Sequence, residues 1–168
     1  IRLNHPRRLS QGPRRRAPRL TSVFTNRIRV RYAEIDGQGV VFNAHWLTYF
    51  DDSCTRFMES LGFGAEFWTI EFDVMLVRAE LEWKGSARFD EWIDIEVAPV
   101  RLGTKSFDLQ YRARVAGRLA CSATITYVAV VPGKNTSIEI PGRVRKGLTA
   151  RRGEPRAGRM LEVDLERR

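Results

Sequence analysis

The chain has few of the residues that build metal centres, disulfide frameworks or thiol nucleophiles. It holds two cysteines and two histidines in 168 residues. Cys54 and Cys121 lie far apart with no Cys-x-x-Cys between them, which argues against both a zinc site and a disulfide scaffold. No metal and no cofactor are therefore expected. No serine stands in a Gly-x-Ser-x-Gly elbow, so a serine hydrolase has no support. No apolar run approaches the roughly 18 residues of a membrane span, and the basic N-terminal stretch has no apolar segment of the secretory type. The expectation is a soluble, cytoplasmic protein that binds no membrane.

What is present suits one packed domain. Apolar residues make up 43% of the chain and charged ones 29%, which excludes a disordered or collagen-like chain. The net charge is +9, and its placement matters more than its size. Residues 1–22 carry seven arginines and no acid, and residues 143–168 carry nine Lys/Arg against four acids. The body between them is mildly acidic. A nucleic-acid-binding domain concentrates positive charge on a folded face near aromatics. Here the arginines sit in aromatic-free ends such as Arg14-Arg15-Arg16-Ala17-Pro18-Arg19. The pattern reads as a basic arm (1–22), a folded domain (23–142) and a basic tail (143–168), with no nucleic-acid partner.

Within the body, residues 27–32 alternate apolar and polar as a half-buried strand does. The run Asp36-Gly37-Gln38-Gly39 breaks that pattern. Apolar residues then fall at 46, 47, 50, 54, 57, 58 and 61, which is helical spacing, with Asn43 placed to cap the start and Gly62 the end. The second half reads as strands. Met75, Val77, Ala79, Leu81 and Trp83 share one face of the first, and alternating runs follow around residues 92–97, 106–115 and 118–131. Ala116-Gly117 reads as a tight hairpin turn and Pro132-Gly133 as a stop. Short turns demand antiparallel neighbours, and the helix is too apolar to lie on a surface. The predicted architecture is α+β: a long antiparallel sheet wrapped around one buried central helix. Its open edges point to a homodimer.

The residues from Val30 through Tyr32, Asp36, Gly39-Val40-Val41-Phe42-Asn43-Ala44-His45-Trp46-Leu47 to Tyr49-Phe50 resemble the signature of the 4-hydroxybenzoyl-CoA thioesterase family. These are hot-dog-fold acyl-CoA thioesterases. The likeness runs from about Thr25 to Val131, takes in Trp83-Lys84-Gly85, Ala87 to Glu91 and Lys105-Ser106-Phe107, and covers neither basic end. It implies hydrolysis of an acyl-CoA to free acid and CoA. By position, Asp36 matches the family's carboxylate, a general base or a nucleophile. Asn43 falls where the first helical N–H polarises the thioester carbonyl, beside Gly39, Val40 and His45. Lys105 and Ser106 match a position near the nucleotide, with Arg101 close by. A dimer, and a tetramer made of two dimers, is implied as well.

Elementary chemistry agrees with that assignment. A thioester carbonyl becomes an oxyanion on attack, and a helix N-terminus offers unpaired N–H donors and the positive end of its dipole. Lys and Arg suit phosphates as point charge and fork donor. Where many relatives have Tyr-His before the helix, this chain has Phe42-Asn43, with His45 two residues on. Asp51 and Asp52, on the helix itself, are the competing carboxylates. An acyl-carrier-protein thioesterase, a dehydratase and a non-catalytic acyl-CoA-binding hot-dog module are the alternative functions. The dehydratase is disfavoured by the scarcity of histidine. Phe63, Phe67 and Trp68 join Trp46 and Phe50 as candidates for an acyl pocket, though aromatics on a helix are more often core. Cys54 and Cys121 fall on apolar faces and read as core residues.

Overall fold

The computed structural model describes residues 23–64 and 71–152. Strand β1 (Phe24–Arg29) is followed by helix α1 (His45–Ser60), then β2 (Asp73–Trp83), β3 (Trp92–Leu102), β4 (Ser106–Val115), β5 (Arg118–Val130) and helix α2 (Gly142–Ala150). The five strands form one sheet in the order β1-β3-β4-β5-β2, with every pairing antiparallel. This is the α+β arrangement anticipated from the pattern, with β1 and β2 at the two edges.

Helix α1 packs against one face of the sheet because its apolar stripe is wide. Trp46, Phe50, Phe57 and Met58 are fully buried against Ile93, Ile95, Leu109, Tyr111 and Ile125. Its C-terminus is closed by Gly62 at φ +90. The Gly62 N–H donates to Glu59 O and the Phe63 N–H to Met58 O, the paired bonds of a Schellman stop. The 116–117 turn takes positive φ at both residues, 47° and 80°, which joins β4 to β5 with the twist a two-residue hairpin needs. Both cysteines are free and buried, and burial pushes each thiol up to about 12.

Four details differ from the sequence pattern. First, β1 stops at Arg29, and residues 32–34 form a 3-10 turn in place of more strand. The Glu34 side chain accepts the Arg31 N–H at 2.7 Å and bends the chain there. Second, Asn43 does not cap α1. Ala44 holds that position, is already helical in φ and ψ, and makes no side-chain cap bond. Third, β2 contains a bulge between Leu76 and Arg78. A bulge shifts the alternation by one residue, so Leu76, and not Met75 or Val77, shares a face with Ala79, Leu81 and Trp83. Leu76 lies opposite the buried Tyr127 and Trp83 opposite the buried Cys121. Both remain about half exposed, 46% and 50%, because α1 lies toward the β1 side.

Fourth, the folded body runs past residue 142. Residues 143–150, basic enough to pass for tail, belong to α2, which buries Val144 and Leu148. Gly147 of α2 sits so close to Phe63 and Leu61 that an added Cβ would meet them at 3.3 and 3.5 Å. Arg145 Nη2 donates to Gly103 O at 2.7 Å and to Thr104 O at 3.1 Å, tying α2 to the β3–β4 turn. The arm 1–22 and residues 153–168 lie outside the described residues.

Candidate functional site

The segment between β1 and α1 folds on itself as a narrow loop. Ile35 bridges Val41, the Asp36 N–H donates to Val40 O at 2.8 Å, and the Gly39 N–H donates to Asp36 O at 2.9 Å. Gly39 takes φ +73 to close this turn, a conformation that favours glycine. The Asp36 Oδ1 accepts the Gln38 N–H at 2.8 Å, the bond of an ordinary Asx turn. Among the described residues its second oxygen meets no donor.

Neighbouring elements fix this loop at the end of the sheet where α1 begins. The Val41 N–H donates to Ala87 O at 2.8 Å, and Val40 bridges Arg88. Residues 84–91 cross from β2 to β3 at the same end as the β4–β5 hairpin, where Lys84 and Gly85 both donate to Ala120 O. The Phe42 N–H donates to Glu34 O, and the His45 N–H donates to Phe42 O, both at 2.9 Å. The remaining first-turn N–H groups of α1 have no backbone acceptor among the described residues, as is usual for a helix start. Asn43 is exposed beside this end. The His45 ring, half-buried, stands edge-on to Phe42 at 6.1 Å.

The structure thus brings together Asp36, Gly39, Val40, Asn43 and His45. It places Arg101, Lys105 and Ser106 elsewhere, around the β3–β4 turn at the other end of the sheet. There Arg101 forms a two-pronged pair with Asp108, at 2.6 and 2.7 Å, and donates to Ser106 Oγ at 3.1 Å. Its guanidinium is therefore already engaged. Lys105 Nζ is exposed and reaches Ser137 Oγ at 3.5 Å.

Of the two helix carboxylates, Asp52 is taken up by Asn26 Nδ2 at 2.9 Å and by Arg56 at 3.7 Å. Asp51 has no side-chain partner among the described residues, and burial followed by the Asp52 charge raises its carboxyl above the ordinary value. Trp46, Phe50 and Phe63 are core residues, at 5% exposure or less. Phe67 and Trp68 lie outside the described residues. The exposed aromatics near the loop are instead Phe42 and the pair Tyr32–Phe89, edge to face at 5.8 Å.

One pair beside the loop escapes sequence reasoning. The Glu34 carboxylate, 4% exposed, accepts the Tyr49 hydroxyl at 2.7 Å and the Arg31 guanidinium at 2.7 Å. Burial by itself raises such a carboxyl. The hydrogen bonds from Arg31 and Tyr49 outweigh it and hold Glu34 below the ordinary carboxylate value. The only signal in the sequence is a tyrosine on the inward face of α1, set among apolar residues.

Comparison with known proteins agrees with this architecture. A family profile described as the thioesterase superfamily matches residues 38–122, starting two residues after Asp36. A putative esterase of Aquifex aeolicus is 26% identical over 116 residues, 68% of this chain and 91% of its own. The crystal structure of a hypothetical protein from Aquifex aeolicus superposes with a TM-score of 0.70 at 25% identity, covering 74% of this chain and 98% of that one. A gentisyl-coenzyme A thioesterase structure superposes at 0.69 with 24% identity, covering 75% and 99%. The chain belongs to the thioesterase superfamily and carries its hot-dog fold.

Proposed function

We propose that this chain is an acyl-CoA thioesterase with Asp36 as its reactive carboxylate. The observation that carries the reading is the placement of Asp36. A tight hydrogen-bonded loop holds one unengaged carboxylate oxygen beside the open N-terminal end of α1. The gentisyl-coenzyme A thioesterase among the structural relatives supports CoA as the thiol carrier.

In this mechanism the Asp36 carboxylate takes a proton from water as the water oxygen attacks the thioester carbon. The carbonyl oxygen gains negative charge and is met by open N–H donors around Asn43 and in the first turn of α1, other than that of His45, at the positive end of the helix. Collapse of the tetrahedral intermediate breaks the C–S bond, and the proton on Asp36 passes to the departing CoA thiolate. Asp36 as nucleophile gives an acyl anhydride first and the same products after water attack. Gly39 and Val40 bring backbone close to the acyl group, and His45 lines the approach. Lys105 and Ser106 take the nucleotide phosphates, with Arg101 acting only through its bond to Ser106.

Two copies complete the site. The half-exposed apolar residues of edge strand β2, Met75, Leu76, Val77 and Trp83, support pairing with a second chain, and a tetramer of two such dimers follows the same logic. The test is release of free thiol from a panel of aryl, short-chain and long-chain CoA thioesters and the matching acyl-carrier-protein thioesters. Turnover of a CoA thioester that is lost in Asp36→Asn supports the reading. Tight binding of acyl-CoA without turnover makes the protein a binding module instead.

A further inference from the structure

We propose that Glu34 is a positioning residue for the hydrolysis: through Tyr49 and Phe42 it holds the Asp36 loop in fixed register with the N-terminal end of α1. The inference rests on the assignment of Asp36 above.

Residue 34 meets the helix twice. Its carboxylate Oε2 accepts the Tyr49 hydroxyl at 2.7 Å. Tyr49 belongs to the second turn of α1 and is itself buried at 3% exposure. The Glu34 backbone carbonyl accepts the Phe42 N–H at 2.9 Å, and the Phe42 carbonyl in turn accepts the first helical N–H, that of His45. The chain from Ile35 to Val41 therefore leaves Glu34 and returns to it before the helix begins, with Asp36 inside the closed loop.

The remaining valences of Glu34 are also filled. Oε2 accepts the Arg31 N–H at 2.7 Å, and Oε1 accepts the Arg31 guanidinium at 2.7 Å. A carboxylate this buried is expensive to keep unless each oxygen is bonded. The arrangement spends that cost two residues from Asp36. The Asp36 side chain makes no hydrogen bond to α1 among the described residues, so the geometry between carboxylate and helix end is set by its neighbours. Displacing a reactive group by about 1 Å costs up to about 10²-fold in rate, which makes such a clamp consequential.

Tyr49→Phe removes only the hydroxyl and keeps the ring in the core. Glu34→Gln puts an amide NH2 where two donors converge or where the guanidinium sits. The full-length protein carrying each change, and both together, is assayed on the thioester that the unmodified enzyme turns over best. The expected result is a fall in kcat of about 10-fold or more in each single variant with KM within about twofold, because the chemical step and not binding is disturbed. The double variant falls no further than the worse single one, since both act through one contact.

Full kcat in folded Tyr49→Phe and Glu34→Gln, with Asp36→Asn inactive, overturns the role of Glu34 and leaves the assignment of Asp36 standing. Losses that only track the folded fraction, read by circular dichroism, make the contact architectural and overturn it as well. An unmodified enzyme inactive on every thioester overturns both readings together.

Discussion

Asp36 and Lys105 lie at opposite ends of the same sheet. Asp36 sits in the loop held by Ala87 and Arg88, at the end where the β4–β5 hairpin turns, while Lys105 immediately precedes β4 at the far end. The ten residues of β4 separate those ends by about 30 Å. If both touch one acyl-CoA, the lysine comes from the other chain of a two-fold pair built on the β2 edge. When two β2 edges pair antiparallel about a two-fold axis perpendicular to the strands, each chain's near end lies against its partner's far end. Mixing Asp36→Asn with Lys105→Glu subunits should then restore activity, because a hybrid dimer contains one site with both residues intact. Random mixing should give about a quarter of the unmodified rate, since half the dimers are hybrids with one good site each. No recovery in mixed dimers whose parents are both impaired would overturn a site that joins Asp36 of one chain to Lys105 of the other. Light scattering should accordingly give at least twice 19.3 kDa.

Asp36→Asn should lower kcat by about 10² or more with the fold unchanged, the scale for losing an acid–base or nucleophilic group. The Asx bond to the Gln38 N–H survives in asparagine through its amide oxygen, so the turn itself is kept. Steady-state kinetics beside a thermal melt separates the two effects. An active Asp36→Asn enzyme would transfer suspicion to Asp51, the helix carboxylate without a side-chain partner among the described residues, and away from Asp52, which Asn26 and Arg56 occupy.

Most of the architecture was legible because it depends on period and punctuation. Alternation marks the strands, the spacing from 46 to 61 marks α1, and Ala116-Gly117 and Gly62 mark its turns and stop. What periodicity misses is where the backbone departs from it. The bulge at Val77 reverses the face of Met75 and Leu76, and no residue type announces it. The cap at Ala44 uses backbone geometry where Asn43 offered a side chain. Helix α2 hides in a basic stretch because only Val144 and Leu148 face inward among arginines and lysines. In the site, Asp36, Asn43 and His45 gather as their closeness in sequence implies. The separation of Lys105 from them is a property of strand length, visible only once the sheet is built. Glu34 and Tyr49, fifteen residues apart, meet only through the turn that Glu34 itself creates.

The two basic ends should behave differently on truncation. Removal of residues 1–22 should leave hydrolysis and assembly unchanged, since that segment precedes β1, lies outside the family match and brings few apolar residues to bury. Removal of residues 143–168 takes away α2 with its buried Val144 and Leu148 and uncovers Phe63 and Leu61. Leu148→Ala by itself should cost about 2–5 kcal/mol. Denaturant titration of the three altered proteins beside the full chain checks this. A C-terminal truncation as stable as the full chain would mean that α2 adds nothing to the core.

Glu34 gives the fold a component that acid removes. Its carboxyl titrates below the ordinary value in the folded protein because bonds from Arg31 and Tyr49 outweigh the opposing effect of burial. A group with a depressed folded pKa contributes stability that is fully present above its unfolded value, about 4.3, and is lost as pH falls through the folded one. Tyr49 adds nothing to this window, since burial and the Glu34 charge push its phenol upward, away from acid. Glu34→Gln should therefore cost about 2 kcal/mol at pH 7, the scale of hydrogen bonds to a charged group, or about 4–8 °C in Tm for a domain of this size. Melting both proteins from pH 7 to pH 3 should show the gap constant down to about pH 5 and closing below about pH 4. A gap that stays the same across the range would mean that Glu34 is held by its shape in the turn and not by its charge.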